Sequence, residues 1–458
     1  MKAQSGTSPP PPTPTTCQPY SRTCAVRVAQ RRRRRARAST VAEAAGSQST
    51  QGQGGEAVVV VVSSVTRESQ QTPWAGPSPG WIGFRAVRVR PNTSREAPMR
   101  QLFLDHAERV AAHAGVATRL ALLSDRRLAE LVAAAAPAGS GVGGRCAELE
   151  VDGTPVFVKR VPLTDLELHP EHVRSTANLF GLPMFYQYGL GSAGFGAWRE
   201  LAVHAMTTHW VLARAYEGFP LTHHWRVLPD TPPEDFADEF GGVDGAVAHW
   251  DGSPAVRARL EAIGRSTHSL VLFLEHVPHT LGAWLYEHRE AVAPDGRGTV
   301  STWAADELAR GAAFMRAHGL VHFDAHLRNL LTDGRRIHFA DFGLALSADF
   351  ELTRDERRFL ADHLGYDHHH TASHLIRHHL LDRLPPGTDP DGLLRAWAAG
   401  RGPAGVPSDL AAILDRHARS ALVLDEFHRR LLTGTKRVPY PAATLSLSPS
   451  DVEEVTPR

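Results

Sequence analysis

The 458-residue chain is too long for one compact domain and suits two or three units. With 42% hydrophobic and 22% charged residues it can bury a real core, and a formal charge of +1 leaves no global field for nucleic acid or an anionic membrane. Three cysteines exclude a disulfide scaffold or a paired-cysteine zinc module, and the lack of about 18 consecutive uncharged apolar residues leaves no membrane span, so a cytoplasmic setting is expected.

Residues 1–98 read as a disordered tail: SPPPPTPTT, the run Arg31 to Arg35 and GSQSTQGQGG show almost no periodic apolar face. The arginine run is taken as a solvated charge run, and the Val58 to Val62 stretch is no secretory signal. Organised sequence begins at Met99, where translation is expected to start. Residues 99–276 are read as one unit. LFLDHAERVAAHAG and SDRRLAELVAAAA have helical spacing, the second opened by Ser124 as N-cap. A glycine loop, strand, Asp152-Gly153 turn and strand follow, which is a hairpin signal. Residues 160–270 give no clear pattern, and VLFLEHV (271–277) reads as a short buried strand. Residues 277–436 are read as a helical unit. Residues 301–319 form an amphipathic helix with Leu308, Ala312 and Met315 on one face, ended by Gly319. LLTDGRRIHFA is a second hairpin, and residues 437–458 read as another tail.

Four local features carry chemistry. Gly139, Gly141 and Gly144 form G-x-G-x-x-G, whose bare backbone can approach phosphate; it leads into a hairpin rather than a helix, which disfavours a dinucleotide site. Lysine occurs only at positions 2, 159 and 436, so 47 of the 50 basic residues are arginine. Lys159, flanked by Phe157 and Val158 on a strand, is thus no generic surface charge; a compact ammonium can reach phosphate oxygens. Asn329 and Asp341, joined by the second hairpin, would bring an amide oxygen and a carboxylate to one point, as Mg2+ requires. Asp324, five residues before Asn329, would project toward a substrate hydroxyl.

In this order and spacing, residues 135–380 resemble the protein-kinase-like superfamily: GSGVGG its glycine loop, VFVKR its lysine strand, FLEHV its hinge, HFDAHLRN its catalytic loop and ADFG its magnesium motif. The resemblance implies an α+β, two-lobed fold with a small antiparallel β-rich lobe and a larger helical lobe, binding ATP and Mg2+. It implies Asp324 as catalytic base, Lys159 as phosphate clamp, Asn329 and Asp341 as metal ligands, and backbone from Glu275 to Val277 as the adenine contact. The glutamate that orients the lysine is assigned to Glu200, 41 residues after Lys159, so an insertion (164–196) intervenes; Glu171 is the alternative. His326 two places after Asp324 looks more like the aminoglycoside-type small-molecule kinases, Phe323 stands where an arginine is usual, and no A-P-E follows. The D-F-G and the V-K strand look more like protein kinases. The expected function is therefore a serine/threonine protein kinase, the alternatives being a small-molecule kinase or an ATP-binding scaffold without turnover. Seven histidines within 363–379, among them His370, His374 and His378 on one helix face, lack the companion glutamate of an H-E-x-x-H site and are not read as a metal site. Trp198, Trp210, Trp225 and Trp250 are read as core.

Overall fold

In a computed structural model of the protein, the described residues are 105–446 without 142, 143, 235, 382, 383 and 385–388. The expectations for 1–98, for Met99 and for 447–458 lie outside them. The chain divides into two units, Met1–Ser78 and Pro79–Arg458, and every described residue belongs to the second.

Helices α1 (His106–Ala121) and α2 (Asp125–Ala134) come first. Asp105 and Glu108 close a capping box on α1, and the Ser124 hydroxyl accepts the Arg127 amide at the start of α2. Strands β1 (Ala136–Gly141), β2 (Gly144–Val151) and β3 (Thr154–Leu163) follow as hairpins. The second turns at Asp152-Gly153, both left-handed, with Val151 paired to Thr154. After a short helix α3 (Asp165–Leu168) and an irregular stretch come α4 (Ala197–Leu212), β4 (Thr222–Pro229), α5 (Val243–His249), α6 (Pro254–Ile263) and β5 (His268–Glu275). The five strands make one antiparallel sheet in the order β1-β2-β3-β5-β4.

Successive strand residues face opposite sides, and this alternation decides where the chemistry lies. On one side, Val156 and Val158 of β3 and Val271 and Phe273 of β5 pack on Val116, Leu120, Leu128 and Val132 of α1 and α2. On the other, Val161, Leu163, Leu270 and Leu272 pack on Ala197, Trp198 and Leu201 of α4. Lys159 belongs to the second set by parity. The sheet therefore aims it at α4.

The rest is mainly helical. A short β6 (His279–Thr280) leads into α7 (Leu281–His288) and α8 (Val300–Ala317), which buries Leu308, Ala312 and Met315 as expected. Strands β7 (Leu320–Val321), β8 (Leu330–Thr332), β9 (Ile337–Phe339) and β10 (Leu346–Ser347) are brief; β8 pairs with β9, and β7 with β10. Helices α9 (Arg354–His363), α10 (Tyr366–Leu375), α11 (Pro390–Ala398) and α12 (Ser408–Thr433) complete this core. Residues 437–446, expected as tail, pack against it: Tyr440 stacks on His363 with ring centroids 4.2 Å apart, and Leu445 is 4% exposed. The α+β class read from the sequence holds, with one small antiparallel sheet and a larger helical portion. Among the described residues no helix is long and apolar enough to cross a membrane.

Candidate active site

Lys159 is 5% exposed, and its Nζ lies 2.7 Å from Glu200 Oε1 and 2.7 Å from Asp341 Oδ1. Three segments far apart in sequence meet at this ammonium. Burial alone would lower the lysine pKa, but the carboxylates of Asp341 and Glu200 outweigh it and hold the pKa above its usual value, so the charge persists. Burial likewise acts to raise the Asp341 carboxyl, yet Lys159 pulls it down to about 2. Burial pushes the Glu200 carboxyl up, and the neighbouring Asp341 charge adds to the rise against the pull of Lys159. Glu200 sits in the first turn of α4, one turn before His204, whose ring lies edge-on to Phe342 at 5.0 Å. Glu171, the alternative partner, is 83% exposed beside His169.

The loop between β7 and β8 carries the second group. Asp324 is 7% exposed, and burial raises its carboxyl to about 6. Asn329 Nδ2 donates to Asp324 Oδ2 at 2.9 Å and to its carbonyl at 3.1 Å. Both partners are acceptors, which fixes the amide orientation and turns Asn329 Oδ1 away. The Ala340 amide donates to the Asn329 carbonyl at 3.1 Å, setting Asn329 beside the segment that bears Asp341. Asn329 Oδ1 and Asp341 Oδ2 have no hydrogen bond within the described residues. Two hard oxygens beside an open cleft fit Mg2+, which takes one or two protein ligands and fills its shell with phosphate and water. Among the described residues, no group of three or more His, Cys, Asp or Glu side chains could hold a metal by itself, the 363–379 histidines included.

The backbone around Asp324 is held from below. His322 Nε2 donates to the Ala340 carbonyl at 2.9 Å and its Nδ1 accepts the Asp324 amide at 3.3 Å; burial lowers this imidazole to about 4 and keeps it neutral. His326 Nδ1 accepts the Asn329 amide at 3.2 Å, which leaves Nε2, 3.8 Å from Asp324 Oδ1, as the ring's donor. Asp367 of α10, fully enclosed, accepts the His322 amide at 2.6 Å and the Phe323 amide at 3.0 Å. Phe323 is left-handed, with φ 64°, and wholly buried, which the two bonds to Asp367 help to impose. Nothing in the local spacing marks Asp367, 43 residues downstream of Asp324, as part of this loop.

The glycine-rich hairpin and the expected hinge flank this centre. Gly139 pairs with Cys146 and Gly141 with Gly144, and Cys146 in turn lies opposite Lys159 on β3. At the end of β5, Glu275 acts as a strut: Arg109 of α1 clasps both carboxylate oxygens at 2.6 Å, and the Glu275 amide donates to the Leu221 carbonyl. Val277, two residues on, is half-buried. The four tryptophans are packing residues, Trp198 and Trp250 almost fully buried.

Sequence reasoning missed the extent to which the 164–196 insertion enters the centre. Gly189 and Gly194 lie against Asp324 and Gly343, and with Gly191, Ala193, Glu200 and Asp341 they line a partly open cavity of about 40 Å³. The signal was present, because GLGSAG repeats the G-x-G-x-x-G spacing just before a helix. In comparisons with known proteins, no family model matches the chain and no curated protein matches it.

Proposed function

We propose that this protein is an ATP-dependent phosphotransferase of the protein-kinase-like type, a two-lobed enzyme that moves the γ-phosphoryl group of ATP to a hydroxyl. The observation that carries the reading is the meeting of Lys159, Glu200 and Asp341 at 2.7 Å contacts, with Glu200 and Asp341 lining one cavity with Asp324. In this reading Lys159, held by Glu200, contacts the α/β-phosphates, and the glycine hairpin covers them. Magnesium, held by Asn329 and Asp341, would neutralise charge on the phosphates. The acceptor oxygen forms a bond to the γ-phosphorus while the bond to the β–γ bridging oxygen breaks. Its electron pair leaves with ADP, and the hydroxyl proton passes to Asp324 Oδ1. That oxygen is suited to the task because Oδ2 is occupied by Asn329. The adenine would lie against backbone near Val277, and a cytoplasmic enzyme would meet ATP at ample concentration.

The test is ATP turnover at saturating magnesium by the wild type, Lys159→Met and Asp341→Ala. Each variant should lose about 100-fold or more, the cost of removing a preorganised charge from such a site. Equal turnover in all three would refute the assignment.

A further inference from the structure

The segment after Asp341 is where an enzyme acting on an extended peptide would have to offer backbone for docking. Here that segment is closed. Leu344, Ala345, Leu346, Ser347, Phe350 and Leu352 are buried, and β10 is already paired with β7. The insertion covers what remains. Gln187 Nε2 donates to the Leu344 carbonyl, and the Glu351 carboxylate accepts from the Ser175 hydroxyl and from the Thr176 and Ala177 amides at 3.1 and 3.2 Å. The Glu351 amide donates back to Thr176 Oγ1 at 2.8 Å.

The same insertion walls the base. A Cβ on Gly189 would lie 2.2 Å from Asp324 Oδ1, and one on Gly194 would lie 2.5 Å from the Gly343 carbonyl. Glycine backbone therefore lies directly against both groups. The cavity left holds a few water-sized volumes. Its charge is one-sided. Three of the charged residues that line it, Asp324, Asp341 and Glu200, are acidic, and the fourth, Arg259, is paired with Glu167 at 2.7 Å.

Resting on the phosphotransferase reading, we infer that the acceptor is a small aliphatic alcohol without negative charge, a sugar or an amino alcohol, admitted past Gly189 to Gly194 rather than a protein side chain. The V-K and D-F-G motifs, which favour a protein acceptor in the sequence, describe the nucleotide side of the centre and leave the acceptor side undetermined. On that side the narrow, acid-lined cavity and the missing backbone edge favour a compact molecule.

The experiment offers the full chain magnesium and [γ-32P]ATP with four acceptor sets: neutral sugars, amino alcohols, sugar phosphates, and casein with a Ser/Thr/Tyr peptide mixture. Ala193→Phe, which fills the cavity from its partly exposed wall, is run in parallel, with binding of a fluorescent ATP analogue as a second readout. Label should enter the first or second set. In Ala193→Phe the KM for that acceptor should rise at least tenfold, while affinity for the analogue stays within twofold of wild type. Preferential labelling of protein or of sugar phosphates overturns the inference, as does an unchanged acceptor KM in the variant or ATP hydrolysis with no small acceptor labelled. A wild-type chain that neither binds nor consumes ATP overturns the phosphotransferase reading beneath it instead.

Discussion

Replacing Asp324 with asparagine separates two consequences of burying a carboxylate. Enclosure raises this carboxyl from an ordinary 3.8 to about 6, against the opposing pull of His326. A group that holds its proton more tightly when folded stabilises the native state below its unfolded pKa, and that stability drains away as the pH climbs through the folded value. The window is therefore about pH 4 to pH 6, and the drain is complete above it. At 1.36 kcal/mol per tenfold change in proton affinity, the ionised carboxylate costs about 3 kcal/mol at pH 8. The neutral amide in Asp324→Asn would keep the shape and an acceptor for Asn329 without that cost. Urea unfolding of both proteins at half-unit steps from pH 4 to pH 8 should show a gap opening to about 3 kcal/mol in favour of Asp324→Asn, while turnover falls at every pH. In the wild type, kcat/KM for the acceptor should rise with pH through about 6. Parallel stability curves across this window would refute the reasoning, because Asp324 would then be no more shielded folded than unfolded.

Two further outcomes follow from buried ion pairs. Arg199→Ala strands Glu356, which is wholly enclosed and 2.6 Å from the guanidinium, so stability should fall by about 3 kcal/mol in thermal or urea unfolding. Turnover should fall too, because Arg199 adjoins Glu200 on α4. Arg109→Ala removes the clasp on Glu275, leaves that carboxylate only the Leu221 amide as a hydrogen-bond partner among the described residues, and frees the Glu217 and Phe219 carbonyls. Under the proposed reading ATP affinity should weaken several-fold, read by titration with a fluorescent ATP analogue, while acceptor KM is little changed.

Much of the Lys159–Asp341 centre was legible because it depends on local rules. Period-2 alternation in β3 put Lys159 opposite the valines, the Asp-Gly turns fixed both hairpins, and the second of these carried Asn329 to the neighbourhood of Asp341. Glu200 over Glu171 was a matter of helical spacing. The surroundings of Asp324 and of the segment after Asp341 were not legible, because their contacts run between remote segments with no period. Glu351 binds Ser175 to Ala177, Gly189 abuts Asp324, and Asp367 supports Phe323 from another helix. The residues 437–446 misled for a related reason: a Pro-rich polar stretch looks loose until Tyr440 and Leu445 find the helices they cover.

The Arg199–Glu356 pair ties the Glu200 helix directly to α9, and Glu351 ties the insertion to the same region. The helix is thereby held to α9 through a wholly enclosed pair, and residues 175–177 to the segment just before α9. Under the proposed phosphotransferase reading, the Lys159 centre would then need no covalent mark to assemble, and its pace would follow its substrates.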